Sequence, residues 1–187
     1  MSYFSQAIQE LRSISVSDYE ERIEDICREL DGETMEQDGW PASFFPEILN
    51  LLSDPQFLSV RTSWNLLLFI KKNWRRLSPT QISALRNTLV LAFDKFGDFT
   101  GPLLVSEILG EFYPDENTLA IFRTLSKSAN GPARELIPHG FETLAKTTRD
   151  HTLRDFAMRE LKALLKDDSE TVRREAALSL SIIERSN

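Results

Sequence analysis

The sequence predicts an all-α protein, an α-α superhelix in which about ten short helices pair into antiparallel hairpins. Three observations lead there. Glycine is scarce, at seven in 187 residues, and alternating β-branched runs are nearly absent, so there is little from which to build strands. Apolar residues recur at steps of three and four almost throughout, the spacing that gathers them on one helical face. Turn-forming residues break this pattern every 15–20 residues or so, which puts helix pairs at a period of roughly 30–40, the range of helical repeat architectures.

The first helices are expected over 3–13 and 17–30. In the second, Tyr19, Ile23, Ile26, Cys27 and Leu30 form one apolar stripe, while Glu20, Glu21, Glu24 and Asp25 fall off it. The stretch 31–40, DGETMEQDGW, has no apolar residues at helical spacing and reads as an ordered loop or a flexible connector. Helices over 42–52 and 56–73 follow, divided by Asp54-Pro55. Ser78-Pro79 opens 79–95, Gly101-Pro102 opens 101–112, Pro114-Asp115 precedes 115–128, and Gly131-Pro132 opens 132–147. Proline suits a first helical turn because its missing N–H has no partner there. Pro138, inside the last of these, is expected to kink it. Two final helices, 151–166 and 169–185, flank Asp167-Asp168. The expected organisation is one domain over 1–187, with an acidic N-terminal helical segment at 1–40 and helix pairs over 41–187. A chain of this length buries well over half of its unfolded surface without needing a disulfide.

The formal net charge of −7 is local. Residues 19–38 hold nine acids and two bases, and the remainder holds 20 of each. Charge concentrated in this way attracts basic partners and argues against nucleic acid. The single cysteine, Cys27, suits a reducing compartment. The first twenty residues lack a basic region followed by an apolar one, and the longest apolar run, Trp64 to Ile70, is too short to span a bilayer, so the expected location is cytoplasmic, without a membrane.

Internal similarity supports a repeated unit. Val60-Arg61 followed by Leu66, Leu68 and Ile70 matches Val172-Arg173 followed by Leu178, Leu180 and Ile182, at an offset of 112. Gly101-Pro102 with Gly110 matches Gly131-Pro132 with Gly140, at an offset of 30. Leu153-Arg154 with Ala157 and Leu161 is a third start of this kind. The segment Leu164 to Leu180 has an Asp in the inter-helix turn (Asp167, Asp168), then Val172-Arg173, then small residues, then leucines. It resembles the second half of a HEAT repeat. Leu51-Leu52-Ser53-Asp54-Pro55 leading to Val60-Arg61 is similar, with Trp64 where a small residue is usual, whereas 79–147 fits by length and periodicity alone. The resemblance implies a curved array of helix pairs used for protein–protein contact, with no catalytic residues to carry over.

Little in the sequence proposes a reaction. Glu135, His139 and Glu142 fall on one face of an expected helix and could hold a divalent metal in a metal-dependent helical enzyme. A carboxylate-bridged site needs a second Glu-x-x-His, which is missing, so a solvated face fits better. His151 reads as a capping or exposed residue, and Cys27 as an inert core thiol. No nucleophile elbow or phosphate-binding glycine loop occurs. Lys71, Lys72, Trp74, Arg75 and Arg76 could stack on bases and neutralise phosphates. Cations gathered at a helix C-terminus over a packed Trp explain them more simply.

These features point to a non-enzymatic protein-binding module without a cofactor. Trp40-Pro41 beside Phe44-Phe45, ringed by carboxylates, has the composition of an aromatic anchor with a charged rim, and equally that of core aromatics. The expected partner-binding residues are Glu20, Glu21, Glu24, Asp25, Asp31, Glu33, Glu36, Asp38 and Trp40, and the expected partner is a basic protein. One concrete form, by analogy, is an immunity or antitoxin protein that blocks a cationic toxin such as a nuclease. Two alternatives stay open: a HEAT-like scaffold or adaptor in a larger assembly, and a nucleic-acid-binding helical-repeat protein using the cluster 71–76.

Overall fold

The described residues of the computed structural model are 6, 9–10, 22, 25–29, 31, 40, 44–60, 63–129 and 131–186. They are helical with no strand, and none of their helices is long and apolar enough to cross a membrane. Among them, residues 25–29 are helical, and ten helices follow: α1 (Phe44–Ser53), α2 (Pro55–Leu58), α3 (Trp64–Asn73), α4 (Pro79–Ala92), α5 (Thr100–Phe112), α6 (Glu116–Leu125), α7 (Gly131–Glu135), α8 (Ile137–Thr147), α9 (His151–Leu164) and α10 (Glu170–Arg185). Short 3-10 turns extend α3 over Trp74–Arg76 and α4 over Phe93–Lys95.

Most of these helices start where a side chain satisfies an amide that the helix leaves without a partner. Asp54, Ser78, Asp115, Asp150 and Ser169 each accept from a backbone N–H two or three residues on. Ser78 and Gln81 complete a reciprocal capping box before Pro79. Asp98 accepts from the amides of Thr100 and Gly101 at 3.0 and 3.1 Å and so opens α5. Such caps contribute about 1 kcal/mol each, which sharpens helix starts without deciding the fold.

The chain forms two compact units, Met1–Gly101 and Pro102–Asn187, where the sequence suggested one array. In the first, α1 packs on α4 and α2, and the core is aromatic at one end. The Trp40 ring lies 5.5 Å from Phe44 and 5.2 Å from Phe69, and Phe44 meets Phe69 edge-on at 5.8 Å. In the second unit α8, α9 and α10 pack on one another, α6 lies on α8 and α9, and α7 touches α8 and α10. Phe122 and Phe141 meet edge-on at 5.5 Å within this core. The two glycines that the offset of 30 equated are in contact: a Cβ on Gly110 would come within 2.9 Å of the Gly140 carbonyl oxygen, and one on Gly140 within 2.7 Å of the Phe122 ring. Neither position has room for a side chain.

Two expected helices are broken. The span 56–73 is interrupted after Leu58, whose carbonyl accepts from Gly97 N–H at 3.0 Å and Ser63 Oγ at 3.2 Å, partners from outside α2. The span 132–147 divides at Leu136, because Pro138 has no N–H with which to continue the ladder and instead occupies the first turn of α8. The segments equated at an offset of 112 turn different positions inward. Leu66 and Ile70 are fully buried with Leu68 exposed, whereas Leu180 is buried and Leu178 exposed. Arg61 lies outside the described residues.

Candidate partner-binding site

Asp31 and Trp40, the first and last residues of the acidic stretch 31–40 in sequence, are both fastened to one residue at the end of α3. Asn73 Nδ2 donates to Asp31 Oδ1 at 2.8 Å, and the Trp40 indole N–H donates to the Asn73 carbonyl at 3.2 Å. Asn73 is buried, and its Nδ2 also donates to the Phe69 carbonyl at 3.0 Å, so its side chain is held in place by its own helix. Lys72 forms an ion pair with the second Asp31 oxygen. Burial works to raise the Asp31 pKa, but the hydrogen bonds from Lys72 and Asn73 and the charges of Lys72 and Arg76 together hold it below the ordinary carboxylate range.

Trp40 is therefore not the exposed anchor that its sequence context suggested. It is 8% exposed, packs on Phe44, Phe45 and Phe69, and spends its only donor inside the unit. Phe44 and Phe45 are likewise core residues. Asp31 has its charge already matched by Lys72. Asp25 pairs with Arg28 at 3.0 Å on an exposed helical face. Glu20, Glu21, Glu24, Glu33, Glu36 and Asp38 lie outside the described residues. On the expected apolar stripe, Ile26 and Cys27 are buried, and burial pushes the Cys27 thiol up to about 12.

The basic cluster stands where helix electrostatics favours it. Lys71 and Lys72 close the last turn of α3, and Arg75 and Arg76 follow in its 3-10 extension. A shallow pocket of about 160 Å³ opens beside Asp31 and Lys72 over Leu68 and Phe69. That is smaller than the roughly 300–1,000 Å³ of sites that enclose a small molecule.

The candidate metal triad is not brought together. Glu135 ends α7 and faces Ser169 Oγ at 3.4 Å, while His139 and Glu142 sit on α8. The imidazole instead lies between Glu142, 3.7 Å from Nδ1, and Glu175 of α10, 3.3 Å from Nε2. Two carboxylates on opposite edges of one ring do not converge on a single ion. Among the described residues no group of three or more His, Cys, Asp and Glu is arranged to hold a metal. His151 is exposed at the start of α9, which Asp150 caps.

Asn73 and Glu175 escape a reading of the sequence. An Asn four residues after Phe69 signals a local bond to a helical carbonyl, but nothing in one sequence pairs it with residues 31 and 40. Comparisons with protein-family models, curated proteins and solved structures give no match.

Proposed function

We propose that this chain is a non-enzymatic protein-binding module of HEAT-like helix pairs, whose segment 19–38 recruits a basic protein. The observation that carries the reading is the placement of charge: the whole net −7 lies within twenty residues, and the rest of the chain is balanced. A field of that kind speeds encounter with a cationic surface and orients it on arrival. Glu20, Glu21, Glu24, Asp25, Glu33, Glu36 and Asp38 are the contacting acids. Asp31 and Trp40 are both held by Asn73. Neutralisation of a cationic toxin, in the manner of an immunity or antitoxin protein, is the concrete form that suits such a surface.

An adaptor role is the second reading, and it is favoured by the 49% exposed Leu178 on α10, an apolar contact in the other unit. The nucleic-acid reading loses support because Lys72 is committed to Asp31. The test is affinity capture from lysate of the source cell with the wild type beside the Glu20→Lys, Glu21→Lys, Glu24→Lys, Asp25→Lys variant. Retention of a basic protein by the wild type alone is the expected result. Retention of the same protein by both forms would refute the acidic contact and favour the adaptor reading.

A further inference from the structure

The binding proposal makes no use of His139, whose two ring nitrogens each face a carboxylate oxygen: Glu142 at 3.7 Å from its own helix and Glu175 at 3.3 Å from α10. A neutral imidazole carries one N–H, so in either tautomer one of these carboxylates meets a lone pair. Only the imidazolium presents a donor to both. We propose that His139 is a proton-operated clamp between α8 and α10, closed as the imidazolium and released when the ring loses its proton.

The surroundings favour the imidazolium and so the closed clamp. Glu142 and Glu175 are only 10% and 17% exposed, so their charges are screened less than at the surface. Lys146 holds the other Glu142 oxygen at 3.4 Å, and Arg174 holds the other Glu175 oxygen at 3.0 Å, which orients both carboxylates towards the ring. Other charges near α8 have other partners: Arg134 faces Asp167, Glu135 faces Ser169, and Arg123 of α6 pairs with Glu160 of α9. Helix α5, which meets α8 at Gly110, carries Glu107 and Glu111.

The Glu142 carboxylate beside the ring, opposed by burial and reinforced by the charge of Glu175, raises the His139 pKa above its ordinary value. The stabilisation is then complete below about pH 6.5 and is lost as pH rises through the raised value. On the acid side, burial raises the Glu142 pKa, but His139, Ser179 and Lys146 outweigh it and hold the carboxyl below its usual range, so mild acid leaves the clamp closed.

The test is a nitrogen-15 NMR titration of the full chain carrying His151→Gln, which leaves His139 as the one imidazole signal. The midpoint should lie above about 6.5, with both ring nitrogens protonated below it, and hydrogen-exchange protection of the α10 amides should fall as pH passes that midpoint. Glu175→Gln should lower the midpoint and abolish this pH dependence of protection. A midpoint at or below about 6.5, or α10 protection that ignores the titration, would overturn the proposal without reference to any Glu175 variant.

Discussion

Trp40 gives its indole N–H to the backbone carbonyl of Asn73 at 3.2 Å, and the side chain of the same Asn73 holds Asp31 at 2.8 Å. Trp40→Ala should destabilise the protein by about 3–5 kcal/mol in denaturant unfolding, the cost of truncating a buried aromatic. Asn73→Ala should cost about 1–3 kcal/mol, since it leaves the part-buried Asp31 with a lost donor. The Asn73 change should also weaken partner capture with every acid intact. Full stability after Trp40→Ala would show that the ring is not a core element.

The contact of Gly110 with Gly140 sets the spacing at which α5 crosses α8. Gly110→Ala forces a Cβ against backbone atoms at 2.9 Å, and no rotamer relieves that. The expected loss is about 1–3 kcal/mol. Gly131 has nothing within 4 Å of an added Cβ, so Gly131→Ala should be neutral or slightly stabilising in the same unfolding measurement.

Cys27 combines burial with a pKa raised to about 12, which withholds the reactive thiolate. In native buffer at pH 8 a disulfide reagent should modify it at the rate of protein unfolding, and in denaturant at once. Reaction in native buffer as fast as that of a free thiol would place Cys27 outside the core.

Helix positions were legible from the sequence because caps and apolar spacing are local. The turn before Asp115, the proline start at Ser78 and the break induced by Pro138 all follow from neighbouring residues. Among the described residues ten helices lie beyond residue 40, where 56–73 and 132–147 each became two. The first of these breaks was illegible, because its cause, Gly97 N–H on the Leu58 carbonyl, lies 39 residues away in sequence. For the same reason the charge of segment 19–38 could be read directly while the burial of Trp40 could not. An aromatic beside acids has the same composition whether it faces solvent or Phe69. The metal triad failed on backbone geometry: once Leu136 leaves the helix, Glu135 no longer shares a face with His139, and Glu175 from another helix takes that place.

The central claim is that the charge of residues 19–38 drives association with a basic protein. Its most direct test is the association rate constant of the captured partner, measured by stopped flow with wild type and with the Glu20→Lys, Glu21→Lys, Glu24→Lys, Asp25→Lys variant, at low salt and at about 0.15 M. The account predicts a rate slower by roughly tenfold or more in the variant at low salt, with the gap narrowing as salt screens the field and with unchanged melting. Equal rates for the two proteins at low salt would contradict it, and would locate the binding surface elsewhere on the chain.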